Sequence, residues 1–228
     1  MQKPLFLLAD SQPLFFNQGS NTLLERIRQQ LDHHKSLTAA YIGASNGDQG
    51  EYFEIFEVAM QSLGIHHCRH IHKVMDQHDI TFLGNADIIL LSGGDVQLGW
   101  QCIEKLATVL QEARQSGAVC IGISAGAVQM GQLGWFERKN LSNHDLFSTL
   151  AWVPYVISAH EEAKRWPQLK QVISLTAGCV KGIGIQHGSA AIVNPDGSIE
   201  ALQKPLLCIS LEKEQLYQQP AWKLESKR

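Results

Sequence analysis

The segment that decides the fold runs Val119-Cys120-Ile121-Gly122-Ile123-Ser124-Ala125-Gly126-Ala127-Val128. An apolar strand pattern leads into Gly122-x-Ser124-x-Gly126, and a segment that can be helical follows. In that context the pattern predicts a sharp turn that holds the Ser124 hydroxyl above the edge of a sheet. We expect both glycines to be required, because a Cβ at either position would collide with the neighbouring strand or helix. In a chain with 19 glycines an ordinary tight turn explains the same pattern.

A second apolar strand, Ile88–Leu91, ends in Ser92-Gly93-Gly94-Asp95. Ligands of open α/β sheets bind at the carboxyl edge of the strands, where both glycine-rich turns would lie. The backbone N–H of Gly94, together with that of Ala125, would form an oxyanion hole there. The alternative is that these residues only turn the chain into the next helix cap.

Strand and helix patterns alternate along the first two thirds of the chain, which predicts an α/β fold with a mainly parallel central sheet flanked by helices. We expect a single domain over residues 1–217, a short antiparallel C-terminal extension of the sheet, and a loose tail at residues 218–228. The predicted strands are Leu5–Leu8, Thr38–Ile42, His66–His72, Ile88–Leu91 and Val119–Ile123, followed in the extension by Val180–Gln186, Ala190–Val193, Ser198–Leu202 and Leu206–Leu211. The predicted helices begin near Leu23, Tyr52 and Gln97.

Composition argues against several classes of protein. The 228 residues carry a formal charge of −3, so no basic excess is available for nucleic acid or for an anionic membrane surface. Five cysteines without a CxxC pair favour free thiols in a reducing compartment, and cytoplasm is the expected location. The apolar run Leu5–Ala9 is too short for a secretory signal, and no stretch approaches the roughly 20 apolar residues of a membrane span. A homo-oligomer remains open.

The two glycine-rich motifs, in this order and spacing, resemble the peptidase E and cyanophycinase family of serine peptidases, which has a class I glutamine amidotransferase-like fold. The matching segments are Gly93–Val96 and Gly122–Ala127, with Tyr41–Ser45 and Gly182–Ile185 in addition, and together they span most of residues 38–193. The resemblance implies that Ser124 is a nucleophile, that Gly93 or Gly94 with Ala125 forms the oxyanion hole, and that a downstream histidine is the base. It implies a small peptide substrate and no cofactor.

His160 is the expected base, because it follows the apolar run Val156–Ala159 at about the place where the family has its histidine. A serine hydroxyl needs an adjacent base to take its proton at neutral pH. His187 is the competing residue and His144 a weaker one. Any one of the ten histidines could instead be a solvated surface residue.

The third member of a catalytic triad is where the chain departs from the family. Relatives carry Asp-Glu where this chain has Gln186-His187, and Asp-x-His where it has Ser158-Ala159-His160. Loss of the orienting acid can lower turnover by about 10⁴. The carboxylates that could replace it are Glu161, Glu162, Asp145 and Glu137. Either the acid has moved or the enzyme is weakened, and a non-catalytic binding protein that keeps the turn as scaffold is the alternative function.

The family's substrates predict a cation near the site. Relatives cleave peptides or isopeptides next to aspartate, and a substrate carboxylate would pair with Arg138, Lys164 or Arg165. Ser124 stands where class I glutamine amidotransferases have cysteine, which argues against glutaminase chemistry.

One further pattern has the spacing of metal ligands. His66, Cys68, His70 and His72 share one face of a strand. Spacing ties no carboxylate to them, and the polar outer face of an edge strand explains the run, so we predict no metal site.

Overall fold

The computed structural model describes residues 2–16, 22–32, 35–136 and 138–221. The strands are β1 (Leu5–Leu8), β2 (Thr38–Ile42), β3 (His67–Ile71), β4 (Ile88–Leu91), β5 (Val119–Ile123), β6 (Leu133–Trp135), β7 (Leu146–Ser148), β8 (Tyr155–Ala159), β9 (Lys181–Ile185), β10 (Ala190–Val193), β11 (Ile199–Leu202), β12 (Leu206–Glu212) and β13 (Gln215–Ala221). The α-helices are α1 (Leu23–Arg28), α2 (Gly50–Gln61), α3 (Gln77–Gly84), α4 (Val96–Gln115), α5 (Ala125–Met130) and α6 (Pro167–Leu175).

The main sheet has the strand order β11-β10-β1-β5-β4-β2-β3. Its five strands from β1 to β3 are parallel, whereas β10 and β11 add antiparallel strands at one edge. The central strands are buried on both faces, as near-continuous apolar runs in a parallel sheet require. The predicted fold class, a mainly parallel sheet flanked by helices, is confirmed.

The C-terminal strands divide between two sheets, which the sequence did not predict. Only β10 and β11 extend the main sheet, while β9 and β12 belong to a second sheet of order β13-β12-β9-β8. In that sheet β8 and β9 are parallel and are joined through α6. Glycine makes this packing possible, because a Cβ on Gly182 or Gly184 would lie 2.8 Å from a side-chain carbon of Leu169 or Trp166, respectively.

The predicted loose tail is wrong for its first residues. Gln218–Ala221 belong to β13, which pairs antiparallel with β12, and residues 222–228 lie outside the described residues. The sequence of β13 lacks the apolar alternation of a half-buried strand, and Leu216 and Tyr217 are exposed. Backbone pairing at a sheet edge therefore forms this strand without a hydrophobic pattern.

Helix α4 carries the apolar face that was expected of the third helix. Ile103, Leu106 and Leu110 are buried at helical spacing, and the Asp95 side chain caps the helix by accepting a hydrogen bond from the Leu98 N–H at 2.8 Å. The cap fixes the turn between β4 and α4, which brings Gly93 and Gly94 to the carboxyl edge of the sheet. No helix in the described part of the chain is long and apolar enough to cross a membrane.

We predict that Gly126→Ala lowers the free energy of unfolding by about 1–3 kcal/mol, because the new methyl group overpacks a rigid contact. An ideal Cβ on Gly126 would lie 2.2 Å from the Leu91 carbonyl oxygen, which is backbone and cannot rotate away. Urea unfolding followed by circular dichroism measures the change. Gly50→Ala, in the first turn of α2 with nothing within 4 Å, is the matched control and should be neutral or slightly stabilising. Equal stability of the two variants would contradict the packing argument.

Candidate active site

Ser124 lies at the junction of β5 and α5 with a backbone conformation that side-chain-bearing residues rarely adopt, at φ 48° and ψ −105°. Backbone hydrogen bonds hold this turn to its neighbours. The Ser124 N–H donates to the Leu8 carbonyl at 2.8 Å, and the Gly126 N–H donates to the Ser92 carbonyl at 3.1 Å. The turn is thereby tied to the ends of β1 and β4, so the surrounding strands impose the unusual conformation on Ser124.

Gly122 and Gly126 let this turn pack closely, as the sequence predicted. A Cβ on Gly122 would lie 2.7 Å from the Ala127 backbone nitrogen in α5, and one on Gly126 would lie 2.2 Å from the Leu91 carbonyl oxygen in β4. Both distances are below those of real Cβ contacts. Gly122 therefore meets the helix and Gly126 the neighbouring strand.

His160 follows β8 and reaches Ser124 from the second sheet. Its backbone also has a positive φ, 47°, and its N–H donates to the Ile185 carbonyl at 2.9 Å. The His160 Nε2 lies 2.8 Å from the Ser124 Oγ, within direct hydrogen-bond distance. Of the two competing histidines, His187 lines a cavity beside this pair, whereas His144 belongs to a short 3₁₀ helix before β7.

Gly93 and Gly94 lie beside Ser124, as the glycine-rich turn after β4 predicted. A Cβ on Gly93 would lie 3.4 Å from the Ser124 Cβ. Gly94 has a φ of 128°, and a Cβ there would lie 2.1 Å from the Ser45 carbonyl oxygen. Ala125 is the first residue of α5. The Gly94 backbone is exposed and, with Ala125, borders the space in front of the Ser124–His160 pair.

Two cavities flank this pair, and they differ in chemistry. The larger, of about 430 Å³, has walls that are mostly apolar or aromatic. The smaller, of about 260 Å³, is lined by Lys164, Glu161 and Gln168 beside Trp135. The residues that contribute to the wall of the larger cavity include Leu14, Tyr41, Tyr52, Ile55, Phe56 and Leu90. Ser124, His160 and Gly94 border both cavities.

Comparison with known proteins assigns the chain to a family. A scan against protein-family models matches residues 5–201 to peptidase family S51. The protein belongs to peptidase family S51. It is a serine peptidase, as the sequence predicted. A search of curated proteins finds no significant match.

Solved structures of peptidases have the same fold as this S51 peptidase. A crystal structure of a peptidase from an acI-B1 Actinobacterium is similar with a TM-score of 0.67 and 18% identity, covering 97% of this chain and 95% of the other. A protein from Listeria monocytogenes EGD-e assigned as a peptidase E is similar with a TM-score of 0.64 and 17% identity, covering 89% of this chain and 98% of the other. At these identities the likeness is one of fold.

None of the carboxylates considered for the orienting role is hydrogen-bonded to His160 among the described residues of this S51 peptidase. Glu161 accepts a hydrogen bond from the Ser158 Oγ at 2.9 Å, and the Glu162 Oε1 accepts one from the His187 backbone N–H at 3.1 Å. Glu137 lies outside the described residues. Among the residues that the structure describes, no carboxylate is therefore hydrogen-bonded to His160 as a triad acid would be.

Glu161 and Asp145 sit in opposite electrostatic environments. Burial raises the pKa of the Glu161 carboxyl, although the hydrogen bond from Ser158 opposes that shift. Hydrogen bonds from Ser142 hold the pKa of Asp145 below its usual value, with a smaller contribution from Arg138, whose Nε lies 3.0 Å from the Asp145 Oδ1. Glu161 borders the smaller cavity together with His160, whereas Asp145 braces the connection between β6 and β7.

Of the three cations expected near the site, only Lys164 lines one of the two cavities. Arg138 is paired with Asp145. Arg165 directly follows Lys164, and its left-handed backbone ends the short 3₁₀ helix Glu162–Lys164. It lines neither cavity.

Sequence reasoning missed several residues of the larger cavity. The Tyr41–Ser45 motif does not by itself indicate a cavity residue. In the structure Tyr41 is buried in the cavity wall and accepts a hydrogen bond from the Asn46 Nδ2 at 2.6 Å. Burial raises the pKa of Tyr41 to about 12. Asp10 borders the same cavity and accepts a hydrogen bond from the Gly188 N–H at 2.6 Å. Asp10 is the second residue after β1, at the carboxyl edge of the sheet, and this position is a pattern that could have identified it.

The histidine run divides in the structure. His70 and His72 come together with Asp48, a carboxylate that spacing along the chain did not reveal, while His66 and Cys68 lie outside this group. Cys68 packs against the hydrophobic core instead.

We predict that Asp145→Asn leaves peptidase activity at neutral pH intact and flattens the acid dependence of stability. The pKa of Asp145 is lower in the folded than in the unfolded protein. Its contribution to stability is therefore complete above the unfolded value of about 3.9 and is lost as the pH falls through the folded value. Thermal unfolding of wild type and variant between neutral pH and about pH 3 measures the difference.

Glu161→Gln is the comparison variant for activity in the same assays. We expect it to lower kcat/KM by a few-fold, because the variant lacks the negative charge that interacts with His160. A large loss of activity in Asp145→Asn with none in Glu161→Gln would show that Asp145 acts at the site and that its assignment to the β6–β7 connection is incomplete.

Proposed function

We propose that this S51 peptidase cleaves small peptides by acyl transfer to Ser124, with His160 as the general base. The observation that carries the proposal is the 2.8 Å separation of the Ser124 Oγ and the His160 Nε2. The strained turn at Ser124 has the form of a nucleophile elbow, which holds the hydroxyl clear of its own backbone at the carboxyl edge of the sheet.

The reaction follows from this geometry in two half-reactions. The Ser124 Oγ attacks the scissile carbonyl carbon while the His160 Nε2 takes the hydroxyl proton, and the imidazolium then gives that proton to the departing amine nitrogen. The C–N bond breaks and an acyl ester on Ser124 remains. In the second half, His160 takes a proton from water, the water oxygen attacks the ester carbon, and the proton returns to the Ser124 oxygen as the acid product leaves.

Backbone N–H groups supply the oxyanion hole in this proposal. Ala125 opens α5, so its N–H has no partner within the helix and lies at the positive end of the helix dipole. Among the described residues, neither the Gly94 nor the Ala125 N–H donates to another backbone carbonyl. Both therefore remain available to stabilise the negative oxygen that develops in the transition state.

Glu161 acts on His160 by electrostatic attraction and not by a hydrogen bond. Its half-buried carboxylate is fixed by the Ser158 hydroxyl and interacts electrostatically with His160. A negative charge nearby favours the imidazolium that forms when Ser124 is acylated. Without a direct hydrogen bond to the ring, Glu161 does not select the tautomer of His160, and the catalytic unit that we propose within the described part of the chain is a Ser–His dyad.

The position of Lys164 is an argument for an acidic substrate. It lines the smaller cavity beside the reacting pair and, among the described residues, makes no ion pair within 4 Å. A substrate carboxylate in that cavity would gain a charge-assisted hydrogen bond. We therefore propose cleavage of short peptides next to aspartate, with the acidic side chain directed toward Lys164.

We predict that Ser124→Ala and His160→Ala each lower kcat by about 10³-fold or more, and that the double variant is no slower than either single variant, because the two residues act as one unit. A fluorophosphonate probe should label wild type at Ser124 and leave Ser124→Ala unlabelled. Ser174→Ala and His144→Ala, at residues away from both cavities, are the matched controls. Labelling of wild type at another residue would contradict the assignment of Ser124 as the nucleophile, and wild-type turnover no faster than that of Ser124→Ala across a broad peptide panel would support a binding protein that keeps the turn as scaffold.

We predict that Lys164→Gln lowers kcat/KM for aspartyl dipeptides by about tenfold or more, the value of one charged hydrogen bond, while neutral dipeptides are little affected. Arg165→Gln removes the adjacent cation and should leave the preference unchanged. Turnover of matched aspartyl, asparaginyl and alanyl dipeptides measures both variants. Equal loss on acidic and neutral substrates would remove the acidic specificity while leaving the Ser124 mechanism in place.

A further inference from the structure

A group of three potential metal ligands lies apart from the Ser124–His160 pair, where β2 and β3 end. Asp48 follows the 3₁₀ turn after β2, His70 lies in β3, and His72 directly follows β3. The His70 Nε2 lies 3.9 Å from the Asp48 Oδ1, and the His72 Nδ1 lies 4.0 Å from the Asp48 Oδ2. One ligand atom from each residue falls within 4.8 Å of the others. Parallel pairing of the two strands brings these three together.

Two of these polar atoms are buried without a partner. The His70 side chain is only 9% exposed, and neither its Nε2 nor the Asp48 Oδ1 has a hydrogen-bond partner. A buried polar atom without a hydrogen-bond partner loses its interactions with water and gains none in the protein, so it destabilises the fold. A cation placed between the two atoms would satisfy both at once, which no other group among the described residues does.

The surrounding structure orients the ligands. Gly43 leaves room for the imidazole, because a Cβ there would lie 2.3 Å from the His70 Nε2. The His70 ring stacks on Phe53 with centroids 5.0 Å apart and meets the edge of Tyr41 at 5.2 Å. The Lys73 N–H donates to the Asp48 Oδ2 at 3.0 Å, which fixes the carboxylate and leaves Oδ1 free. Such supporting contacts are typical of metal ligands.

We propose that Asp48, His70 and His72 bind one divalent cation of the zinc class. Two imidazole nitrogens and a carboxylate oxygen suit Zn²⁺, whereas Ca²⁺ and Mg²⁺ prefer ligand sets made of oxygen alone. Ligand atoms of a tetrahedral zinc site lie about 3.3 Å apart, so ligand atoms that are now within 4.8 Å of one another must approach by up to about 1.5 Å on binding. The exposed His72 has the freedom to make that movement. Water takes the fourth position.

The cation fastens the loop after β2 to the end of β3. That loop carries Asn46, which borders the larger cavity and donates to Tyr41, and Ser45, whose carbonyl accepts the Asp95 N–H at 2.8 Å. Binding at Asp48 therefore stiffens one wall of the cavity beside Ser124. The role is structural, and it stands independently of the reaction assigned to Ser124.

The test is a metal titration of the full chain after treatment with a chelator. Calorimetry with Zn²⁺ should show one saturable site, Co²⁺ should give the visible absorption of a tetrahedral complex, and the melting temperature should rise with Zn²⁺ concentration. None of these measurements depends on peptidase activity. Absence of a saturable site would overturn the proposal.

His72→Ala is the decisive variant, because His72 is exposed and its loss should leave the fold intact. We expect Zn²⁺ affinity to fall by more than about 100-fold, beyond the loss caused by removing a supporting contact. Asp48→Asn should have a similar effect. His66→Ala, a histidine outside the group, should bind Zn²⁺ as wild type does. Unchanged affinity in His72→Ala, or loss of affinity in His66→Ala, would overturn the assignment.

Discussion

The close contact between Gly126 and the end of β4 is the constraint on which the rest of the site depends. The strands place the Leu91 carbonyl so near to α5 that no side chain fits at position 126. With the helix held that close, the chain between β5 and α5 has no room for a relaxed turn, and Ser124 takes a positive φ. The cost of that conformation, on the order of 1–3 kcal/mol, is offset by the buried strands on either side. The strained backbone of Ser124 is thus held in place by the buried strands around it.

The Ser124–His160 pair is assembled across two sheets. Ser124 stands on the main parallel sheet, whereas His160 follows β8 of the second sheet and is fixed by the backbone of β9. The position of that second sheet depends on α6, which covers β9 only because Gly182 and Gly184 admit its side chains. The Ser124–His160 distance therefore depends on packing between the sheets, and a substitution in β9 would move His160 without changing either residue of the pair.

The parts of the structure set by local pattern could be predicted from the sequence, and those set by long-range pairing could not. Buried parallel strands are near-continuous apolar runs, and the GxSxG turn is contiguous, so β5 and Ser124 followed from the sequence alone. The second sheet could not be predicted, because the sequence of β9 is the same kind of apolar run whether the strand extends one sheet or begins another. Asp48 escaped for a related reason. Asp48 is close to His70 and His72 only because β2 and β3 are neighbouring strands, and the sequence of neither segment indicates that pairing.

In the proposed mechanism His160 acts without a carboxylate hydrogen-bonded to it among the described residues, so its surroundings determine how well it can serve as the base. An acid in a triad fixes the tautomer of the imidazole and also stabilises its cation. Around His160 the second contribution is partly present, whereas the first is not. His160 is exposed, so water shares in solvating the imidazolium, and the Glu161 carboxylate adds attraction through space. Glu161 is hydrogen-bonded to the Ser158 Oγ and not to the His160 ring, so it does not select a tautomer, and Nε2 accepts from Ser124 only in the neutral tautomer that carries its proton on Nδ1. The contribution reduced most is therefore orientation, while charge stabilisation is partly kept.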